Sequence, residues 1–440
     1  MREPADFPGR EPGGYIDPRP VVHSTCQMMP LRNHREKIGV LGNSNFVIFL
    51  IATFLSNMGS ALVPVALSFA LFARGAGTAG VSAVLCAEAL AMALPLLLGG
   101  VLADRHPPRR IMVAADLMRA LTQGVLALLL FAPSLSYVAV IPLSVLLGLG
   151  NALDVPGRNR LLTQIVPPTL LPGANSMVMM AISFAGLLGP AIGGLLVAST
   201  GAGWAVALDA LSYLANAGLL LALAPKEGCS TGEGSGPGML TALCEGWTAF
   251  ASRRWLWMMV CLFAVMQTLS WAPAEILGAS IFSRRAHGAP HWGVLLSAMG
   301  TGATAGALMA LRFQPRRPLR AVLLWLLVYP LTPACLAGSW PFWAQVLCFF
   351  LGGIEMAHVN IVWESTLQRA IPPEMLSRVS AYDALGSFCL MPMGYVLAGP
   401  MALTFGTAGT LWLGAAAVMM SIMVPLLFGK VDSVVLADSP

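Results

Sequence analysis

Charged residues are scarce in this sequence. Asp, Glu, Lys and Arg make up 10% of 440 residues, where soluble domains carry about 25%. A soluble chain of this length would expose far more surface than so little charge covers. The formal net charge of +5 is therefore no argument for a nucleic-acid partner. Catalytic patterns are missing too. A His-Glu-x-x-His pair, a Walker loop, a nucleophile elbow and a cluster of paired aspartates are all absent, which argues against a membrane enzyme. The eight cysteines are scattered without metal-ligand spacing, so no metal or cofactor is expected. Cys86, Cys261, Cys335, Cys348 and Cys389 fall inside apolar runs, where they read as small packing residues. Residues 1–40 lack the apolar core of a secretory signal, and Glu3, Asp6, Glu11 and Asp17 argue against a mitochondrial presequence.

Apolar length is what the chain has in abundance. Hydrophobic residues reach 57%, in runs of about 20 residues, enough to cross a hydrocarbon core of about 30 Å. Backbone groups in lipid must be satisfied within their own segment, so each run is a helix. The expected fold is an all-α polytopic membrane protein with about twelve transmembrane helices in two six-helix bundles. The spans lie near 45–72, 80–103, 111–131, 136–155, 175–198, 203–224, 256–282, 292–312, 321–338, 342–366, 379–400 and 405–428. Residues 1–43 form a cytoplasmic tail expected to be disordered, 44–224 the first bundle, 225–254 a central cytoplasmic linker, 255–428 the second bundle and 429–440 a short cytoplasmic tail. Met28-Met29, just before LRNHREKIGVLGNSNF, offers an alternative start of translation.

Lys and Arg set the orientation. With the N-terminus inside, the inner connections hold Arg32, Arg35, Lys37, Arg105, Arg109, Arg110, Arg158, Arg160, Lys226, Arg253, Arg254, Arg312, Arg316, Arg317, Arg320, Arg369, Arg378 and Lys430. The outer connections hold Arg74, Arg284 and Arg285. Both termini are therefore expected on the cytoplasmic side.

The two halves on either side of PKEGCSTGEGSGPG (Pro225 to Gly238) rhyme. GVLADRHPPRR at Gly100 resembles GALMALRFQPRR at Gly306, and QIVPPTLL at Gln164 resembles RAIPPEML at Arg369, both at an offset of about 205 residues. Parallel repeats of this kind build transporters whose halves rock about a central site.

GVLADRHPPRR also resembles the signature loop between the second and third helices of the major facilitator superfamily, matching at Gly100, Leu102, Ala103, Asp104, Arg105 and Arg109. Pro107 and Pro108 depart from the family pattern and imply a stiffer turn. The resemblance makes Gly100, Asp104, Arg105 and Arg109 a conformational latch, with Asp104 meeting the N-terminal end of the eleventh helix near Ser377 to Ser380. A plain topogenic loop is the alternative. DVPGRNRLLTQIVPPTLLPGANS, LQRAIPPEMLSRVSAYDALGS and MPMGYVLAGP are similar to the siderophore-exporter and macrolide-efflux branch. GLLGPAIGG, with Gly189, Pro190, Gly193 and Gly194, resembles the glycine motif of drug/proton antiporters. Physically, the glycines admit a close helix neighbour and Pro190 removes a backbone hydrogen bond. The resemblance covers residues 44–428 or so and implies a bacterial cytoplasmic (inner) membrane protein.

Acids inside the bilayer are expensive and therefore functional candidates. Glu88 lies roughly 24 Å above Asp104, and Glu355 roughly 21 Å above Arg369, at about 1.5 Å per residue. His358 shares the helix face of Glu355. These three are the proton-coupling candidates, with interhelix hydrogen bonding as the alternative. Asp209 reads as a packing or pathway residue, and Asp116 and Arg119 as a pair with each other or with the nearby loop. Glu364 and Asp383 lie near cytoplasmic ends, and Glu275 near the outer end of its helix, where it faces water. The resemblance implies that an acid often follows the glycine of the first helix; here Gly59 is followed by Ser60, so if a proton carrier normally sits there another residue must substitute, Glu88 first by chain order. Met177, Met180, Trp271 and Trp363 are candidates for an adaptable pathway lining.

The expected function is proton-coupled export of a siderophore or an amphipathic drug-like molecule. An importer or lysophospholipid transporter on the same scaffold, and a non-transporting receptor, are the alternatives. The expected partners are a small amphipathic substrate, protons and the lipid bilayer, with no nucleic acid, for a monomeric chain.

Overall fold

The structure is a computed structural model that describes residues 39–105, 107–132, 136–223, 246–312 and 315–428. The first half holds α1 (Ser44–Ala73), α2 (Gly77–Arg105), α3 (Pro108–Phe131), α4 (Tyr137–Ile165), α5 (Leu171–Ser199) and α6 (Ala202–Ala222). The second half holds α7 (Arg254–Ser283), α8 (Gly288–Arg312), α9 (Pro318–Ala337) and α10 (Phe342–Ala370). Segments Pro373–Phe388 and Met391–Phe428 then form α11 (373–405) and α12 (407–428), divided at Gly406, whose φ of 72° and ψ of 165° break the helix where a side chain would be strained. Among the described residues ten stretches are long and apolar enough to cross a membrane, one being the 50-residue Arg378–Leu427 that Gly406 divides. α2 adds 29 residues, and the protein is an integral membrane protein.

Local chemistry explains the helix ends. Asn43 caps α1, its Oδ1 accepting from the Asn45 and Phe46 amides at 3.1 and 3.4 Å. Pro107 and Pro108 open α3, with Pro108 at a position whose missing N–H costs nothing. Arg109, the second residue of α3, donates to the Leu221 carbonyl at the end of α6. The fourth span does not stop near 155. α4 continues to Ile165, because Asp154 and Arg158 pair one turn apart at 3.2 Å and the Asn43 amide ties down the Ile165 carbonyl at 2.9 Å. The first half of the motif at Asp154 is thus helix rather than loop. Val40, inside the expected tail, is buried against this region.

Two helices of the second half are irregular. α7 contains a π-helical turn, Gln267–Trp271, and α9 is interrupted between Leu326 and Leu331. Pro330 and Pro333 supply no N–H there, which prevents a continuous ladder.

The halves pack alike. α1 lies on α5 and α6, α2 on α4, and α3 on α4 and α6; correspondingly α7 lies on α11, α8 on α10, and α9 on α10 and α12. Across the halves α5 meets α8 and α2 meets α11. Apolar clusters show where the bundles touch. Near the chain ends, Phe46, Leu161 and Leu220 belong to a cluster of the first bundle alone, and Leu256, Leu323 and Ile422 to one of the second alone. At the far end the clusters are shared: Val65 with Trp292 and Phe282, Leu62 and Val84 with Ile276 and Tyr395. Among the described residues the bundles are therefore sealed together at the end remote from the termini.

Candidate functional site

A polar network runs through the first bundle. Arg119 on α3 is 4% exposed. It pairs with Asp116 one turn before it, reaches Asp154 on α4 at 3.5 Å and lies over the Tyr213 ring at 4.4 Å. Asn216 donates to the second oxygen of Asp116 at 2.8 Å. One turn along α3, Gln123 donates to Asp209 on α6 at 2.7 Å, and Ser60 on α1 stands 3.5 Å from the same carboxylate and 2.9 Å from the Tyr213 hydroxyl. Asn151 carries the network to Glu88, donating at 3.3 Å. Four acids thus share one bundle with Arg119 and Arg158. An isolated arginine here would be costly by about 3 kcal/mol or more; the carboxylates offset that.

The position after Gly59 acquires a meaning here. Ser60 faces the Asp209 carboxylate of α6 at 3.5 Å. Chain order pointed to Glu88; spatial order points to Asp209, whose partners lie 149 and 86 residues away in sequence.

In the second bundle Glu355 on α10 is 1% exposed and its Oε2 has no hydrogen-bond partner among the described residues. His358, one turn on, is buried beside the Trp325 ring at 5.2 Å, with its Nδ1 likewise unpartnered. Tyr329, one turn after Trp325 at the interruption of α9, lies within electrostatic reach of Glu355. It also walls a cavity lined further by Pro64 and Ser68 of α1, Trp271 and Glu275 of α7, Trp292 and Met299 of α8, and Phe349 of α10. Glu275 does not simply face water: it opens onto this cavity and accepts from the Tyr395 hydroxyl at 2.8 Å. The first bundle contributes through α1 and the second through four helices, so the cavity sits between the halves.

The glycine motif of α5 lies at the seam. Gly189 packs on Ala61 and Gly193 on Leu62 of α1, while Gly194 faces Ala289 and Pro290 of α8. Where Pro190 interrupts the ladder, the Ala191 amide donates to Ser297 Oγ on α8 at 3.0 Å. A freed backbone group is thereby satisfied across the two bundles.

The remaining sequence candidates are dispersed. Trp271 lines the cavity from the π-helical turn. Trp363 sits instead in the core near the chain ends, edge-on to Phe263 and Trp255, its Nε1 donating to Asp383 at 3.1 Å. Met177 packs in the corresponding cluster of the first bundle, and Met180 is exposed on α5. The side chains of Gly100, Asp104 and Arg105 lie outside the described residues, although their backbone forms the end of α2. Glu275, Tyr329 and Tyr395 were missed. The one available signal was Glu275 itself, an acid eight residues inside the end of an apolar run.

Two pseudo-repeated six-helix bundles around an intervening cavity define the scaffold of an alternating-access membrane transporter. Solved structures agree on the fold: the nucleoside transporter NupG superposes with a TM-score of 0.71 at 12% identity, over 88% of this chain and 99% of that one. The chain belongs to the transmembrane secretion effector family of the major facilitator superfamily, whose family model matches residues 37–435. It is similar to macrolide efflux protein A of Streptococcus pyogenes, 24% identical over 69% of this chain and 76% of that protein. It is also similar to the multidrug efflux pump Tap of Mycolicibacterium fortuitum, 23% identical over 83% of this chain and 90% of that protein.

Proposed function

We propose that this transporter exports an amphipathic small molecule from the cytoplasm in exchange for protons, with Glu355 as the proton carrier. The observation that carries the reading is Glu355 itself: a fully buried carboxylate with an unpartnered oxygen, one residue removed, through Tyr329, from a cavity between the bundles. A buried acid kept without a partner is destabilising for the fold and calls for a role in transport. His358 extends the path along α10. That the relatives from Streptococcus pyogenes and Mycolicibacterium fortuitum are efflux proteins supports the direction. The cargo is a macrolide-like or siderophore-like compound.

With both termini cytoplasmic, the seal lies at the outer face and the protein rests open to the cytoplasm, ready to load. Gly189, Pro190, Gly193 and Gly194 then serve as the bearing on which α5 and α8 separate. Gly100, Asp104, Arg105 and Arg109 serve as the latch of the opposite state. Glu88 is the second candidate for the proton, in reserve to Glu355.

Everted membrane vesicles with an acidified interior test this. Adding macrolides, siderophores or cationic dyes in turn is expected to trigger proton efflux with at least one class, and Glu355→Gln to abolish it. Undiminished efflux in the variant would remove Glu355 from the path.

A further inference from the structure

Glu275 has two neighbours that make opposite demands on it. On one side is the cavity, whose walls among the described residues include Trp271, Trp292, Tyr329 and Phe349 and no Lys, Arg or His. A half-buried carboxylate among aromatic rings favours a cation carried on an apolar body and disfavours an anion. On the other side is Tyr395 of α11, 4% exposed, donating to Glu275 Oε2 at 2.8 Å. Tyr395 is not merely a residue of the second bundle. It packs in the same apolar cluster as Leu62, Val84 and Val206 of the first, within the seam that seals the far end of the molecule. The same carboxylate therefore faces the ligand space and anchors the contact between the bundles.

We propose that Glu275 receives the cationic group of an amphipathic cargo, and that its hydrogen bond from Tyr395 makes the α2–α11 seam responsive to that cargo. The proposal rests on reading the cavity as the cargo chamber. A carboxylate that has paired with a cation is a weaker acceptor, because its charge is already neutralised. Cargo and Tyr395 thus compete for one group. Loading loosens the hold of Tyr395, and the seam becomes free to open only when the chamber is filled. This links occupancy to the conformational step by a differential interaction, as any ligand-driven shift requires.

Two oppositely charged ions of one shape probe the chamber: tetraphenylphosphonium and tetraphenylborate, titrated against the purified full-length chain in detergent with protein-free micelles subtracted. The cation is expected to bind at least tenfold more tightly than the anion, and Glu275→Gln to remove that preference. Tyr395→Phe, which deletes the competitor, is expected to tighten cation binding several-fold, and to do so only when Glu275 is present. The seam is read by a cysteine pair replacing Thr78 and Gly399, where a Cβ added at 399 would lie 3.8 Å from Thr78 Oγ1, in a chain whose native cysteines are replaced. The phosphonium should slow cross-linking several-fold in the otherwise native chain and leave it unchanged with Glu275→Gln. Equal binding of both ions, or a Tyr395→Phe variant that weakens the cation as Glu275→Gln does, would overturn the proposal. If Tyr395→Phe fails to fold, the Glu275→Gln cross-linking result decides alone. Loss of proton exchange in Glu355→Gln with intact phosphonium binding separates a fault in the proton assignment from a fault in this one.

Discussion

Gly194 of α5 and Ala289 of α8 meet so closely that a Cβ on the glycine would lie 2.4 Å from the alanine carbonyl oxygen. Backbone against backbone is the tightest approach two helices can make, and here it joins two bundles rather than two helices of one. Gly194→Val is expected to push α5 and α8 apart while leaving each bundle folded. Overpacking of this kind destabilises by about 1–3 kcal/mol, here charged to the sealed state alone. The check is a cysteine replacing Ser297: an impermeant maleimide should label it several-fold faster in the Gly194→Val background. Unchanged labelling would mean that the seam tolerates the side chain.

The Arg119 network makes a second prediction, about stability. Removing Arg119 leaves Asp116 buried without its cation, while Asp154 keeps Arg158, so Arg119→Met should destabilise by about 3–5 kcal/mol. Adding Asp116→Asn should recover part of the loss, since the pair then falls together. Thermal unfolding of the detergent-solubilised variants reads both. If the single and double variants are equally unstable, the network is not an electrostatic unit.

A third concerns Ser60 and Asp209, whose side chains stand 3.5 Å apart. Ser60→Asp places a second carboxylate against the first, which two like charges at that distance resist. The single change should lower the unfolding temperature by several degrees. Exchanging the two residues, Ser60→Asp with Asp209→Ser, should restore most of it, because Gln123 and Tyr213 remain to serve a carboxylate from α1. Absence of rescue would show that the acid is needed on α6 itself.

Trp363 supplies a fourth. Its indole is the recorded hydrogen-bond partner of Asp383, whose other oxygen has none among the described residues. Trp363→Phe keeps the ring packing and leaves that buried carboxylate without a donor, for a loss of about 1–3 kcal/mol. Urea or thermal unfolding should show it; an unchanged midpoint would mean that water reaches Asp383.

What was legible in the chain follows a physical rule. Span positions were written in apolar length, which depends only on the thickness of lipid, and the duplicated joints at Gly100 and Gly306 fall at corresponding helix junctions. The end of α4 was not legible, because Asp154 and Arg158 look like loop chemistry until their spacing is seen to pair them on one helix. The cavity was less legible still. Glu275 was read as an outer acid in water because nothing near it in sequence shows that Tyr395, 120 residues later, turns its hydroxyl towards it. Asp209 reads in sequence only as a packing or pathway residue for the same reason: its partners come from α1 and α3. The burial of Glu355 and His358 was legible because an acid in an apolar run is a local signal.

The central claim is that cargo and protons move in opposite directions through this chain. Purified protein in liposomes loaded with ethidium, with no initial pH difference, tests it directly by following internal pH as the dye leaves. The account predicts that ethidium flowing down its gradient draws protons inwards in the wild type. With Glu355→Gln the dye should still leave while internal pH stays constant. Dye movement without proton movement in the wild type, or identical proton movement in the variant, would contradict it.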